Sequence, residues 1–265
     1  MAEKFLLYID ILGFSDLVAK GNQEVDRLYS IIDNLNVHSH QAFRTIVFSD
    51  TILVYNQDDP LDDHDREVIV GYSCEFAQNL FFSSIGTGIY FRAILRLGDF
   101  EHKTLKNLQS FYGQALISSY SEEKSLPCTG LFIHSSCRPY NKYIPTKPFT
   151  DDLDFVYLTR SLEWMIERFI DEFPVVGEIV ELIFEDSYFI VRDVAILREI
   201  NTLMRNHPLP AVRAKYLATW DMYLERYRNC LEHLVKNDFH LSAISPSLQW
   251  EESIKSLAEE VRGRA

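Results

Sequence analysis

Residues 5–15 read FLLYIDILGFS, which predicts the first strand of a sheet followed directly by a helix. The apolar run of residues 5–12 has the length of a strand and ends at Gly13. Ser15 is placed to cap the adjoining helix. Asp10 interrupts the apolar run, and an ionised carboxylate there is costly unless it is paired or bound to a metal. This aspartate is therefore the first candidate for a chemical role.

A second aspartate stands at the predicted tip of a hairpin. Residues 44–48 and 51–55 are rich in β-formers, and Ser49 and Asp50 lie between them. Two carboxylates at the ends of neighbouring strands could bracket one or two divalent cations. Mg²⁺ takes one or two protein carboxylates and fills its shell from phosphates and water. In the alternative interpretation, Asp10 caps a helix and Asp50 is only a turn residue.

The remaining pattern predicts an α+β fold. Apolar periodicity indicates helices over residues 25–35, 67–82 and 114–126, and strands over 89–97, 131–134 and 155–158. From Ser161 onward the pattern is helical. Strands and helices mixed in this order predict a mixed or antiparallel sheet covered by helices, with a C-terminal helical extension.

Composition excludes several classes of protein. The 265 residues carry a net charge of −13, which argues against a nucleic-acid footprint over the whole surface. The four cysteines have no CxxC spacing, so we expect buried thiols in a reducing compartment. The first apolar run is too short for a signal peptide or a membrane span, and no run of about 20 apolar residues occurs elsewhere. We therefore expect a cytoplasmic protein with no membrane partner.

Three segments together resemble the class III nucleotide cyclases. Residues 10–15 (DILGFS) resemble the first metal motif of that family, and residues 48–54 (FSDTILV) resemble its second. Residues 111–116 (FYGQAL) resemble its Tyr/Trp-Gly-Asn-x-Val stretch, where a helix begins. The end of that helix and the strand after it are resembled by Glu123-Lys124, Pro127 and residues 130–133. The resemblance covers about residues 5–135 and is strongest to the prokaryotic pyrimidine cyclases of Pycsar antiphage systems.

The resemblance implies a reaction and a set of residues. A cyclase of this kind converts a nucleoside triphosphate to the 3′,5′-cyclic monophosphate and pyrophosphate with two Mg²⁺ or Mn²⁺ ions. By the resemblance, a catalytic domain spans residues 1–160 and a helical extension spans 161–265. The side chains of Asp10 and Asp50 and the backbone of Ile11 map onto the metal ligands. The backbone of Leu12, Gly13, Phe14 and Ser15 maps onto the phosphate-binding turn.

Some residues differ from the family's pattern at the positions that recognise the nucleotide base. The purine-reading positions fall on Ile46 and Ser110, which match neither the adenine nor the guanine pair. We therefore expect a pyrimidine pocket that includes Phe48 and Arg44, with UTP favoured over CTP because arginine only donates hydrogen bonds. A purine cyclase with a misaligned pocket stays open as an alternative.

Other departures bear on catalysis and assembly. The family's transition-state Asn and Arg fall on Ile117 and Ser121, so Lys124 and Arg96 are the candidate replacements, with Arg92 and Lys103 as further cations. The resemblance also implies a homodimer with composite active sites and a separate effector protein that responds to the cyclic nucleotide in antiphage defence. A catalytically silent nucleotide-sensing or dimerisation module is the other alternative.

Overall fold

The computed structural model describes residues 2–35, 42–169, 173–176 and 187–263. The chain forms two compact units. The first unit comprises Met1–Ser83 and Ile89–Leu158, and the second comprises Ser84–Gly88 and Thr159–Ala265. The residues singled out by the sequence for chemistry all belong to the first unit.

A seven-stranded sheet in the order β2-β3-β1-β4-β7-β9-β8 forms the centre of the first unit. Only the β4–β7 pair is parallel among these pairings, so the sheet is mixed and mostly antiparallel. A separate two-stranded ribbon joins β5 and β6. The strands are β1 (Glu3–Leu12), β2 (Phe43–Phe48), β3 (Thr51–Asn56), β4 (Tyr90–Asp99), β5 (Glu101–Thr104), β6 (Gln109–Tyr112), β7 (Gly130–His134), β8 (Thr146–Pro148) and β9 (Leu153–Val156).

Helices cover both faces of this sheet. The first unit contains α1 (Phe14–Lys20), α2 (Asn22–Asp33), α3 (Asp63–Ser83) and α4 (Gln114–Glu123). Helix α4 contacts β1 and β4, and its Ala115 packs beside Gly98 of β4. Helix α3 lies on the opposite face, where its Tyr72 ring meets Phe43 of β2. Strand β1 is buried along most of its length because it lies inside the sheet, between the two helical layers.

The second unit is helical in the part that the structure describes. It contains α5 (Arg160–Phe169), α6 (Ser187–Asn206), α7 (Pro210–Arg226), α8 (Arg228–Lys236) and α9 (Glu251–Gly263). The fully buried Asp193 of α6 accepts the N–H groups of Ser161 and Leu162 at the start of α5. Burial raises the pKa of this carboxyl to about 7. Asp193 therefore supplies first-turn acceptors to a helix that is distant in sequence.

The structure confirms the α+β fold class and the mixed sheet, and it corrects several details. Helix α1 begins at Phe14 with Gly13 as its N-cap and no side-chain cap, so the capping role predicted for Ser15 is wrong. Helix α4 ends at Glu123 rather than near residue 126. Strands β5, β6 and β8 were not predicted, because each has only three or four residues.

Two expectations from composition, on the cysteines and on membrane-spanning segments, can be compared with the structure. All four cysteines are free and buried, as predicted. Among the described residues, no helix combines the length and the apolar character that a membrane crossing requires.

The entry into α4 depends on a glycine that tolerates no side chain. Gly113 has a φ of 147°, and a Cβ placed on it would lie 2.2 Å from the carbonyl oxygen of Asp99. We expect Gly113→Ala to lower the free energy of unfolding by roughly 2–4 kcal/mol, from backbone strain and overpacking together. Gly71 of α3 is the matched control, because a Cβ there meets nothing within 4 Å. Gly71→Ala should stabilise the protein by up to about 1 kcal/mol. Urea unfolding followed by circular dichroism measures both variants, and equal stability of the two would contradict the prediction.

Candidate active site

One hydrogen bond joins the two segments that carry the candidate metal ligands. The N–H of Ile11, one residue after Asp10, donates to the carbonyl oxygen of Asp50 over 2.8 Å. Asp50 lies in the two-residue turn between β2 and β3, as the sequence predicts. The preceding Ser49 has a left-handed φ of 57°, and its carbonyl accepts a hydrogen bond from Tyr29 of α2. The turn that carries Asp50 is thereby fixed against the end of β1.

The segment after Ile11 turns sharply into α1. Gly13 has a φ of 74°, and its carbonyl accepts the N–H groups of Asp16 and Leu17. Leu12, Gly13, Phe14 and Ser15 therefore form the corner between β1 and α1, directly beside the Asp50 turn.

Strand register places the predicted polar residues on one face of the sheet. Asp10 lies opposite Thr51 of β3 on one side and opposite Arg92 of β4 on the other. Side chains alternate along each strand, so residues that face each other across the ladder share a face. That face carries Asp10 and Arg92 at one end, and it also carries Arg96, Arg44, Ile46 and Phe48.

Asp10 is partly buried and has a cationic neighbour. Its Oδ2 lies 3.4 Å from a terminal guanidinium nitrogen of Arg92. Burial raises the pKa of Asp10, the Arg92 charge opposes that rise, and the nearby negative charge of Asp50 adds to it. The two aspartates are thus close enough to repel each other, which is the condition that a bound cation relieves.

Glu123 is a third carboxylate at this site that the sequence analysis did not select. It ends α4, is only 3% exposed, and forms an ion pair with Arg92. Arg92 therefore bridges Asp10 and Glu123, and its side chain is itself only 11% exposed. Glutamate at the end of a helix usually indicates a solvated position, so the sequence carries no signal for this buried pair.

The two aspartates fit a hard divalent cation that takes only a few of its ligands from the protein. Asp10 and Asp50 supply two carboxylates, and Mg²⁺ binds commonly to one or two carboxylates with the rest of its shell from water and phosphate. Among the described residues, no three His, Cys, Asp or Glu side chains are grouped to hold a metal ion by themselves. Water and phosphate oxygens would complete the shell of an ion held by these two carboxylates.

The other predicted cations have partners within the chain. Arg96 forms an ion pair with Glu122 of α4. Lys124 Nζ lies 3.7 Å from the centre of the Tyr120 ring, and Tyr120 contacts the ring of Tyr8 next to Asp10 in the sheet. Lys103 lies over the ring of Tyr112.

The catalytic roles of these cations stay predictions. So does the expectation that they replace the transition-state Asn and Arg of the cyclase family. Ile117 and Ser121, which stand at the positions expected for that Asn and Arg, are exposed.

The chain does not bring the predicted base-reading residues together in one place. Ile46 packs against the apolar cluster that includes Leu53 and Phe100, and Phe48 is 78% exposed. Ser110 lies on β6, opposite Lys103 in the β5–β6 ribbon. Arg44 instead lines a cavity of about 340 Å³ that none of the other three reaches.

Comparisons with known proteins identify no family for this chain. No family model matches the sequence, and no curated protein matches it. Solved structures that resemble part of the chain include the adenylyl cyclase CyaB from P. aeruginosa, at 10% identity and a TM-score of 0.45 over 58% of this chain and 93% of that one. The guanylyl cyclase Cya2 matches at 15% identity and a TM-score of 0.42, over 58% of this chain and 91% of that one.

A bacterial light-regulated adenylyl cyclase is a third solved structure that is similar to part of the chain. It matches at 12% identity and a TM-score of 0.41, over 63% of this chain and 97% of that one. These neighbours are adenylyl and guanylyl cyclases. Because their sequences differ so much from this one, the assignment of an activity depends on the carboxylates and cations of this chain.

The Arg92–Glu123 pair gives a stability prediction that needs no substrate. Arg92→Met leaves a buried carboxylate without its cation, so we expect a loss of roughly 3–5 kcal/mol in the free energy of unfolding. The double variant Arg92→Met/Glu123→Met should recover a large part of that loss, because both charges are gone. The exposed pair between Arg228 and Glu232 of α8 is the control, and Arg228→Met should leave stability essentially unchanged. Urea unfolding measures all variants, and a single variant no worse than the double would contradict the pairing of Arg92 with Glu123.

Proposed function

We propose that this protein is a metal-dependent nucleotide cyclase that converts UTP, or CTP with lower preference, to the 3′,5′-cyclic monophosphate and pyrophosphate. The observation that carries the proposal is the hydrogen bond from Ile11 to Asp50, which fixes the two motif aspartates at the same end of the sheet. The negative charge of Asp50 beside the partly buried Asp10 would favour a divalent cation bound between them.

The reaction exchanges one phosphorus–oxygen bond for another. The ribose 3′ hydroxyl loses its proton to water, its oxygen forms a bond to the α-phosphorus, and the bond from that phosphorus to the pyrophosphate leaving group breaks. Divalent cations in such sites lower the pKa of the attacking hydroxyl and neutralise the triphosphate. The side chains of Asp10 and Asp50, with the backbone of Ile11, would hold two Mg²⁺ or Mn²⁺ ions, and the turn of residues 12–15 would lie against the phosphates.

Positive charge at the reacting phosphate is assigned to three side chains. Arg92 lies at Asp10 already, while Arg96 and Lys124 lie on β4 and just after α4. We propose a homodimer in which Lys124 of one subunit serves the metal pair of the other. The exposed apolar side chains of Phe48, Ile117 and Tyr120 would supply contact area in such a dimer.

The proposal extends to a biological role that depends on the resemblance to Pycsar cyclases. The cyclic pyrimidine nucleotide would act as a second messenger in antiphage defence. A separate effector protein would bind the messenger and carry out the response, so the cyclase itself would need only to make the signal.

A catalytically silent nucleotide-sensing module is the second candidate. Ile117 and Ser121 stand where related enzymes have transition-state groups, and Arg92 already pairs with Asp10. A silent module would bind a triphosphate and release no pyrophosphate. A turnover assay therefore separates the two functions.

Removal of one metal carboxylate gives the decisive variant. Asp50→Asn keeps the size of the side chain and removes the charge that holds a hard cation, so product formation should fall by at least about 100-fold while the fold is retained. Asp63→Asn is the control, because Asp63 is an exposed carboxylate of the same unit. Release of pyrophosphate in saturating Mn²⁺ measures both variants. Near-wild-type turnover by Asp50→Asn would exclude the proposed metal site.

Base preference is the second test of the proposal. We expect kcat/KM to be highest for UTP, followed by CTP, because Ile46 and Ser110 do not reproduce the purine-reading hydrogen bonds. The four triphosphates should be compared with identical Mn²⁺ and the products identified by mass spectrometry. A lead of tenfold or more for ATP or GTP, which is about 1.4 kcal/mol of transition-state preference, would replace the pyrimidine assignment with the purine one.

A further inference from the structure

We propose that Arg92 is an exchangeable counter-ion of Asp10, and that Glu123 is the positioning residue that retains the guanidinium when Asp10 binds a divalent cation. Arg92 would then turn the freed N–H toward an oxygen of the triphosphate. This inference rests on the proposed cyclase function, because the cation and the triphosphate are those of the same site. It gives the buried Glu123 a role in ligand binding rather than in stability alone.

The Arg92 guanidinium is anchored mainly by the end of α4. Its Nη2 forms the ion pair with Oε1 of Glu123 and lies 3.4 Å from Oδ2 of Asp10. Its Nη1 donates to the carbonyl oxygen of Leu126 over 3.4 Å. Glu123 is the last residue of α4, and the N–H of Leu126 donates to its carbonyl, so these two anchors belong to one turn of the chain. Arg92 would therefore keep two of the three contacts if it lost Asp10.

The contact with Asp10 is the one that is easiest to break. A charge-assisted N–H···O bond is typically about 2.7–2.9 Å long, so the 3.4 Å separation of Arg92 and Asp10 is a loose contact. The side chain of Asp10 is 20% exposed, whereas that of Glu123 is only 3% exposed. A cation that enters from solvent therefore meets Asp10 first and leaves Glu123 paired with Arg92.

A divalent cation is the stronger partner for Asp10. Asp50 brings a second negative charge close to Asp10, and one hard cation can bind both carboxylates. Arg92 carries a single positive charge, which Glu123 shares. While Arg92 stays at Asp10, it lowers the negative charge available to a metal ion. The metal alone would accordingly bind more weakly than the two aspartates by themselves would allow.

The exchange frees a donor next to the metal carboxylates. Each terminal nitrogen of a guanidinium carries two N–H groups, so Nη2 of Arg92 can keep one on Glu123 and offer the other to a phosphate oxygen. The Nε of Arg92 is buried and has no hydrogen-bond partner in the part of the chain that the structure describes. The present arrangement thus leaves the guanidinium incompletely satisfied, which favours a second arrangement with other acceptors.

Binding of Mn²⁺ without nucleotide tests the exchange. Loss of the free-ion signal in electron paramagnetic resonance gives the affinity, and Asp50→Asn corrects for ions bound elsewhere on this acidic chain. Arg92→Gln removes the competing charge, so we expect Mn²⁺ to bind at least fivefold more tightly than to wild type. Glu123→Gln leaves Arg92 to pair with Asp10, so the affinity should fall at least fivefold. Unchanged or weaker Mn²⁺ binding by Arg92→Gln would overturn the exchange.

The double variant Arg92→Gln/Glu123→Gln shows whether Glu123 acts through Arg92. We expect Glu123→Gln to cost less than twofold in Mn²⁺ affinity once Arg92 is gone. An equal loss in both backgrounds would mean that Glu123 attracts the ion directly, and it would overturn the positioning role. If Arg92→Gln alone does not fold, the double variant must still bind Mn²⁺ at least fivefold more tightly than Glu123→Gln, and equal binding by these two would overturn the exchange.

Arg138→Gln is the matched control for this series. Arg138 pairs with the buried carboxylate of Asp154 in the same unit, so its replacement also strips a buried carboxylate of its cation. We expect this variant to lose stability and to bind Mn²⁺ as wild type does. A change in Mn²⁺ affinity as large as that of Arg92→Gln would mean that general loosening, not exchange at Asp10, explains the series.

A triphosphate that cannot react tests the freed donor. 3′-Deoxy-UTP and 3′-deoxy-ATP lack the attacking hydroxyl, so calorimetry can measure their binding in Mn²⁺ without turnover. We expect Arg92→Gln to bind the one that wild type prefers at least tenfold more weakly, although it binds Mn²⁺ alone more tightly. A damaged site would weaken both. Equal triphosphate affinity in the two proteins, or no binding of either triphosphate to wild type, would overturn the donor role of Arg92.

The metal measurements also separate this inference from the function on which it rests. If wild type makes no cyclic nucleotide from any triphosphate in Mn²⁺, the proposed function fails. Tighter Mn²⁺ binding by Arg92→Gln would then still support the exchange at Asp10. No Mn²⁺ binding by either protein beyond that of Asp50→Asn would overturn it.

Discussion

The arrangement of the candidate site depends on the addition of the β2–β3 hairpin to the end of β1. The ladder between β1 and β3 runs from Leu6 to Asp10, and the Ile11–Asp50 hydrogen bond continues it into the turn. A shift of one residue in this ladder would move every side chain of the hairpin to the other face. The register therefore determines whether Asp50 and Asp10 share one ligand, and it also determines which side of the sheet Arg44 and Ile46 occupy.

The burial of charged side chains beside the candidate site costs free energy. Asp10, Arg92 and Glu123 are charged groups withdrawn from water, and burial of ions is unfavourable unless each has a partner. The Arg92 guanidinium meets both carboxylates, so its one positive charge partly offsets the two negative charges. A cation bound at Asp10 and Asp50 would compete with Arg92 for Asp10, while Glu123 would keep the guanidinium in place. The ion pairs with Asp10 and Glu123 limit how far Arg92 can move.

The sequence was sufficient for some of these features because they are local. The apolar run with one aspartate predicted β1 and the position of Asp10, and two β-rich segments around Ser49 predicted the hairpin and its tip. The pairing of Arg92 with Glu123 depends on how β4 and α4 meet in three dimensions, which no periodicity within either segment reveals. The cavity was missed for the same reason, since Arg44, Tyr55 and His102 come from three strands. Ser15 was misassigned because glycine, not serine, occupies the N-cap, where a left-handed φ is required.

Because Gly113 lies so close to Asp99, the β5–β6 ribbon between them can vary without disturbing the elements on either side. The two residues bound the β5–β6 ribbon, and their contact brings the ends of that ribbon together at the base of α4. A segment whose ends already meet can be lengthened, shortened or exchanged with little effect on the elements that flank it. His102 lies in this ribbon, whereas Asp10 and Asp50 lie outside it. A different ribbon could therefore be grafted there, which would change the His102 side of the cavity and leave the carboxylate end of the sheet intact.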